Sequence, residues 1–362
     1  MADTAIVVTP ATARAAAVTT TRRRRAPWLT IGVVAVVGAV ALGVMIGPAG
    51  PDWWRIPLAL ADRLPFVAVE SGVTDVEWNI VWQVRMPRVL LGALVGATLS
   101  IAGASYQGVF RNPLVDPFLL GVAAGAGLGA TLVLTVLRST TAGWPFDAAP
   151  VAAFVFGLAT VFVTYFVGAS FGGSRDGVTL VLAGVAVAAL ATAVQTFLLQ
   201  RNFEVVREVY TWILGRLYTA KWSDVRLLLP YFVVCTVVLL LHRRHLDLFR
   251  VGEDEASTLG APVARVRLIV VIAATLGTAA AVSVSGLIAF VGIVVPHVVR
   301  LVTGASYRTV LPLSLLFGAA FLVLADIPGR ILTDPAETPI GVVTAFLGAP
   351  FFIFVLRRRR TA

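Results

Sequence analysis

The chain has 362 residues, of which 58% are hydrophobic and only 13% are Asp, Glu, Lys or Arg. Soluble domains carry roughly 25% charged residues, and a soluble fold of this size has too little interior for so much apolar surface. These proportions exclude a cytosolic enzyme, a secreted disulfide scaffold and a disordered chain. The net charge of +10 lies in short basic blocks between apolar stretches, which fits a membrane protein better than a nucleic-acid surface.

The first 27 residues are rich in Ala and Thr and then basic, which predicts a disordered basic cytoplasmic tail over residues 1–27. The apolar run after Arg25 is too long for a typical signal peptide, so it predicts an uncleaved first membrane helix. Residues 28–362 are expected to form a single transmembrane domain.

The rest of the chain alternates between apolar runs and short polar connections. A helix needs about 20 apolar residues to cross the hydrocarbon core, and these runs are continuously apolar rather than alternating as in a β-barrel. The sequence therefore predicts an all-α polytopic fold with about ten transmembrane helices. The candidate spans are Leu29–Gly47, Val89–Val109, Leu119–Leu137, Val151–Gly168, Val178–Leu199, Leu227–Leu241, Leu268–Val284, Leu287–Val299, Val310–Ala325 and Ile340–Leu356.

The number of spans depends on the uncharged stretch between Arg267 and His297, which forms either one long tilted helix or two short ones. Basic clusters at Arg22–Arg25 and Arg357–Arg360 flank the first and last spans, and both prefer the cytoplasm. An even number of crossings is then required. A split at Ser285-Gly286 gives ten spans and places both termini in the cytoplasm.

Little in the chain suggests chemistry. The phosphate-binding P-loop needs Gly-x4-Gly-Lys-Ser/Thr, and the only lysine, Lys221, does not lie in such a motif, so any ATP must be hydrolysed by another chain. We predict no catalytic residue, no metal site and no bound cofactor. Asp116 and Asp326 lie near span ends, whereas a proton- or sodium-coupled carrier usually has a charge in mid-span. A secondary transporter and a membrane-embedded enzyme are both disfavoured.

Two polar features remain. The cytoplasmic loop 242–267 contains an acidic run followed by Gly260 and Pro262, which predicts a short helix that is either a plain surface connection or a protrusion for a cytoplasmic partner. At the external mouth of the second span, Arg85-Met-Pro-Arg88 offers two guanidinium groups. These either snorkel to the interface or meet an external acidic partner.

At these residues the sequence resembles the FecCD-type permease subunits of ABC importers for iron-siderophores, haem and cobalamin. The resemblance runs from about Val81 to Arg358. The motifs that carry it are Arg85-Met-Pro-Arg88, residues Ser105–Gly121, Gly252–Gly260, Gly292–His297, Leu311-Pro-Leu313, Leu324-Ala-Asp326 and Glu337–Phe352.

The resemblance implies a homodimer or paralogous heterodimer of permeases around one pathway in the bacterial cytoplasmic membrane. Two cytoplasmic ABC ATPases would use the ATP below, and an extracytoplasmic substrate-binding protein would deliver the ligand above. Transport would proceed by alternating access. The commonest cargo of such importers is a ferric siderophore, with haem and cobalamin as alternatives.

The resemblance also assigns residues. The ATPase-coupling helix would contain Gly252, Glu253, Asp254, Glu255, Ala256, Leu259 and Gly260. Arg85, Arg88 and Arg330 would dock the binding protein, although Pro328, where a continuous helix is usual, is expected to alter the posture of Arg330. Gln107 and Gln195 would either line the translocation path or make interhelical hydrogen bonds.

Overall fold

The secondary structure in the described part of the chain is helical. The computed structural model describes residues 10–63, 70–141, 144–170, 177–258, 260, 262–332 and 337–360. Within these residues, seven helices are long and apolar enough to cross a membrane, and three shorter apolar helices accompany them. The predicted all-α polytopic fold with about ten spans is confirmed. The cytoplasmic position of both termini stays a prediction.

The α-helices follow one another with short connections, and a six-residue π-helical segment, Ile80–Arg85, leads directly into α4. We call the end of the bundle where α4 begins and α15 ends the outer end, and the opposite end the inner end, in keeping with the predicted topology. The α-helices are α1 (Pro10–Met45), α2 (Arg55–Asp62), α3 (Asp75–Asn79), α4 (Met86–Val109), α5 (Val122–Thr135), α6 (Arg138–Thr141), α7 (Ala148–Ser170), α8 (Gly177–Gln200), α9 (Val206–Ile213), α10 (Trp222–Leu241), α11 (Arg243–Phe249), α12 (Glu253–Thr258), α13 (Val263–Ser285), α14 (Val291–Thr303), α15 (Tyr307–Ile331) and α16 (Ile340–Arg360).

The predicted disordered tail differs from the structure. Helix α1 begins at Pro10, so residues 10–27 are helical, while residues 1–9 lie outside the described residues. Ala and Arg are among the strongest helix formers, and a stable apolar helix downstream supplies the nucleus from which the helix extends.

Helix α4 is the centre of the bundle. It is mostly buried, as are α13 and α15, whereas α1, α7, α8 and α10 leave most of their apolar surface open to lipid or to other chains. Two glycines allow the close crossings. A Cβ on Gly96 would lie 2.2 Å from the Gly318 carbonyl oxygen of α15, and one on Gly103 would lie 2.1 Å from that of Gly292 in α14. Small residues thus bring these backbones together, as in other membrane proteins.

The apolar stretch after Arg267 forms two helices, as the split at Ser285-Gly286 predicts. Helix α13 ends at Ser285, and Gly286 adopts φ 71°, a conformation that favours glycine. The predicted span at Leu287 begins later, at Val291. Non-helical backbone inside a bilayer must find partners within the protein, and here Ser285 O accepts a hydrogen bond from Arg216 N (2.8 Å).

The third predicted span is also shorter than expected. Residues Pro117–Leu120 form a single 3-10 turn, Gly121 takes φ 86°, and α5 starts only at Val122. The Asp116 carboxylate accepts a hydrogen bond from the Phe118 N–H at 2.8 Å and so begins this turn. Burial raises the pKa of Asp116 to about 6, and the hydrogen bond opposes that shift only in part.

Candidate functional site

The loop between α10 and α13 folds into two short helices at the inner end. Gly252 (φ 130°) precedes α12 and Gly260 (φ 81°) follows it, so both turns use a backbone conformation that favours glycine. Within α12, Asp254 and Glu255 are exposed while Ala256 is completely buried. The predicted short helix is confirmed. One side of it exposes carboxylates, and the other side is buried against the protein.

Not every residue of the predicted coupling segment can be described. Leu259 lies outside the described residues, and the side chain of Glu253 does too. The anchoring is clear from the others, because Ala256 belongs to the same buried cluster as Leu246 and Phe249 of α11. The coupling role itself stays a prediction.

Asp247 connects this loop to α15, a contact that is not predicted from the sequence. Its carboxylate accepts hydrogen bonds from the Tyr307 backbone N–H (2.6 Å) and from Ser306 Oγ (2.9 Å). Arg308 Nε lies 3.5 Å and Arg250 Nη1 3.9 Å from the same carboxylate. The negative charge therefore sits at the positive N-terminus of α15. The sequence feature that could have indicated this contact is a single acidic residue, Asp247, within a basic stretch. Its partners Ser306 and Tyr307 lie at the start of α15, which is distant in the chain.

At the outer end, α4 and α15 are joined by a buried ion-pair network. The Arg88 guanidinium donates to Asp326 through Nε (2.8 Å) and Nη2 (2.9 Å), and through Nη1 to Glu337 (2.6 Å). Arg330, one helical turn from Asp326, donates to the same carboxylate through Nε at 2.7 Å and Nη2 at 2.5 Å. We call Arg88, Asp326, Arg330 and Glu337 the outer network.

The first helix is held by the same group of arginines. Arg330 Nη1 donates to Gly43 O at 2.8 Å, and Arg85 donates to the carbonyls of Val44 (3.1 Å) and Gly47 (3.1 Å) and also to that of Ala49. The carbonyls of Gly43 and Val44 lie in the last turn of α1, where unpaired acceptors and the negative dipole end of the helix are stabilised by cations, and those of Gly47 and Ala49 lie just beyond it. Arg85 and Arg330 therefore fasten the end of α1 to α4 and α15.

These arginines are not exposed, contrary to our expectation. Arg85, Arg88 and Arg330 are 5%, 7% and 3% accessible, because their guanidinium groups bond to carboxylates and carbonyls of the same chain. The expectation of free guanidinium groups is therefore wrong for this chain by itself. Pro328 does not end α15, which continues to Ile331 and keeps Arg330 facing Asp326. Docking of a binding protein at these residues stays a prediction.

The two predicted glutamines are also largely buried. Gln107 is 1% accessible and donates from Nε2 to Gly292 O (3.0 Å) and Val115 O (3.2 Å), and its Oε1 accepts from Arg300. It thus makes the interhelical hydrogen bonds that were the alternative to a path-lining role. Gln195 is 8% accessible and lies against Gly127, where a Cβ would come within 3.2 Å of its Oε1. A path-lining role stays a prediction for both.

The described residues contain no group of three or more His, Cys, Asp or Glu side chains that could hold a metal ion. The rings of His242 and His245 are tilted by 39° with their centroids 5.7 Å apart, and His242 Nδ1 forms a hydrogen bond with Val238 O at 2.8 Å. His297 packs edge-on against Phe351.

Comparison with known proteins extends these observations. A family model described as the FecCD transport family matches residues 33–358. The chain is 39% identical over 344 residues to the cobalamin import system permease protein BtuC of Halobacterium salinarum, which covers 91% of this chain and 90% of that protein. It is 33% identical over 316 residues to the iron(3+)-hydroxamate import system permease protein FhuB of Bacillus subtilis, covering 82% and 80%.

A solved structure is also similar. It is described as an inward-facing conformation of a putative metal-chelate type ABC transporter, and its TM-score to this chain is 0.77 at 28% sequence identity. The alignment covers 91% of this chain and 98% of that one. The similarity therefore spans the whole bundle and not a single motif.

Proposed function

This chain belongs to the FecCD transport family and is a permease subunit of an ABC importer for metal chelates, not an enzyme, and we propose that its cargo is a ferric siderophore. It sits in the bacterial cytoplasmic membrane and pairs with a second permease, identical or paralogous. Two ABC ATPases dock at the inner end, and a substrate-binding protein docks at the outer end.

The observation that carries the ATPase assignment is the geometry of α12. This helix presents the exposed carboxylates of Asp254 and Glu255 at the inner end while Ala256 holds its other side in the core. Because α12 is anchored in the core, a displacement of this helix by the ATPase is passed on to the rest of the permease. The acidic charge favours a basic groove on the ATPase, and electrostatic attraction of this kind steers and orients partners.

Alternating access requires that motion at the inner end reaches the outer end. Asp247 links the loop that holds α12 to the first turn of α15, and α15 reaches the outer network at Asp326. A helix is a stiff element, so displacement at its inner end is carried along its length. We propose that α1, α4 and α15 move together, because Arg85, Arg88 and Arg330 fasten their outer ends.

The cargo proposal has two alternatives. The relative named for cobalamin import has higher identity and coverage than the one named for iron(3+)-hydroxamate import, so cobalamin is the second candidate. Haem is the third candidate within the same mechanism. The first selection among these cargoes would be made by the binding protein.

Uptake measurements separate these candidates. A strain lacking the gene is tested with radioiron-labelled ferric siderophores, haem and cobalamin, and is then complemented with the wild-type gene or with the Glu255→Arg variant. Loss of one ferric-siderophore signal, restored only by the wild-type gene, is the expected result. Loss of cobalamin or haem uptake alone would correct the cargo, and normal transport by Glu255→Arg would refute the coupling assignment.

A further inference from the structure

A cavity of about 650 Å³ opens at the outer end, apart from the outer network. Its wall comes from the end of α5, the start of α7, helix α9 and the turn that precedes α10. Half of its lining residues are charged, and they are Asp147, Glu204, Arg207, Glu208, Arg216 and Lys221. Cavities of this size hold drug-sized ligands, and a few polar groups fix the orientation of such ligands.

The charges in the cavity are not balanced pair by pair. Asp147 lies 3.4 Å from the Arg216 guanidinium, and Glu208 is paired with Arg138 at 3.2 Å. Among the residues that the structure describes, Arg207 and Lys221 have no ion-pair partner. The lining also holds the carboxylate of Glu204, and beside the lining the Asp224 carboxylate accepts a hydrogen bond from the Lys221 backbone N–H at 2.9 Å.

Two buried donors in the cavity wall lack acceptors. Trp212 is 4% accessible, and its Nε1 has no hydrogen-bond partner in the described part of the chain. The same holds for Arg216 Nε. An unpaired buried N–H is costly, and native structures usually satisfy such groups with water or a ligand.

From this combination we propose that the cavity is a receiving site for the anionic, oxygen-rich edge of the chelate. The inference rests on the proposed importer function. Carboxylate oxygens of the chelate would accept hydrogen bonds from Arg207, Lys221 and Arg216. The planar guanidinium group of an arginine can bind both oxygens of one carboxylate. A small local rearrangement would bring the Trp212 N–H into the same set of donors.

The site is connected to the membrane helices. Arg216 N donates to Ser285 O at the break between α13 and α14 (2.8 Å), and Gly341 N at the start of α16 donates to Leu214 O (2.9 Å). A ligand that displaces Arg216 therefore displaces a segment that is hydrogen-bonded to the ends of α13 and α16 and lies at the break before α14. Occupancy of the site and the position of these helices are coupled for this reason.

The test uses the complete nucleotide-free transporter in lipid nanodiscs, with radioiron-labelled ferric citrate as an anionic probe and a neutral ferric trihydroxamate as its counterpart. Arg207→Gln combined with Lys221→Gln should weaken ferric citrate binding at least tenfold and leave the neutral chelate within twofold. Trp212→Phe, which keeps an aromatic side chain and removes the N–H, should weaken ferric citrate binding severalfold. The control is Arg201→Gln, because Arg201 lies over the Phe197 ring outside the cavity.

One substitution should act in the opposite direction. Asp147→Asn frees the Arg216 guanidinium from its carboxylate partner, so it should tighten ferric citrate binding, and more so at low salt. Equal affinity of all variants, or no binding by the wild-type protein, would overturn the inference. So would a loss of binding-protein docking with unchanged chelate affinity, because the cavity would then be a protein contact.

Failure of this inference differs from failure of the proposed function. If wild-type cells import a chelate and the cavity variants keep both its affinity and its uptake KM, the cavity proposal falls and the importer remains. If no chelate depends on the gene for its uptake, the function itself is wrong.

Discussion

Removal of the Asp326 carboxylate tests whether the outer network is a structural clamp. Asp326 is 3% accessible and accepts four hydrogen bonds from Arg88 and Arg330, each between 2.5 and 2.9 Å. In Asp326→Asn, both arginines stay buried, and the negative charge between them is lost. Glu337 still faces Arg88, and the Gly43 carbonyl still accepts from Arg330, so the loss is partial.

The magnitude follows from the burial. Removing one partner of a buried ion pair costs about 3–5 kcal/mol, because the remaining charge is left uncompensated. We expect Asp326→Asn to lower the free energy of unfolding by roughly 3 kcal/mol and Asp326→Ala by roughly 4 kcal/mol, which adds the loss of packing. The matched control is Glu208→Gln, whose partner Arg138 is 64% exposed at the side chain. An exposed pair contributes about 0–1 kcal/mol.

Equilibrium unfolding in mixed detergent micelles measures both variants under one condition. A second arm replaces Arg88, Asp326 and Arg330 together by Met, Leu and Met. Well-packed apolar groups can replace a buried ionic cluster at little cost, so this triple variant should be more stable than Asp326→Asn. If Asp326→Asn costs no more than Glu208→Gln, the arginines do not depend on Asp326 and the clamp is refuted.

Further expectations concern the inner end and the docking surface. Burial raises the pKa of Asp116 to about 6, above its ordinary value of 3.8. Between these two pH values, the folded chain holds a proton on Asp116 that the unfolded chain has lost. The contribution of Asp116 to stability should be fully present below about pH 4 and should fall by roughly 1–3 kcal/mol as the pH rises through 6, and Asp116→Asn should remove this component from the pH dependence in unfolding scans. Glu255→Arg should abolish uptake while the protein still folds; ATPase pull-down at low salt measures the lost contact, and full retention of that contact would contradict the coupling role. Arg85→Glu with Arg88→Glu should weaken binding-protein docking at low salt, but it should also destabilise the chain, so docking must be compared in samples matched for folded protein. Docking that is unchanged in those samples would contradict the predicted contact.

The apolar pattern alone determined the class of the protein and most of its architecture. Continuous apolar runs can be satisfied in a bilayer only as helices, because the backbone has no water to bond with. The parity of the basic clusters then predicted the break at Ser285-Gly286, which the structure has. The acidic run closed by Gly260 predicted α12 for a local reason as well, since helix ends are encoded in neighbouring residues.

The environment of each charged group was decided only by the tertiary structure. Arg88 and Asp326 are 238 residues apart in the chain, and nothing local to either residue shows that they meet. The same is true of Asp247 at the start of α15 and of Arg85 at the end of α1. An arginine at a span end can equally snorkel to water or turn inward, and both are consistent with its sequence context. Packing of α1, α4 and α15 selects the inward position, because that position satisfies the carbonyls and carboxylates which the same packing buries.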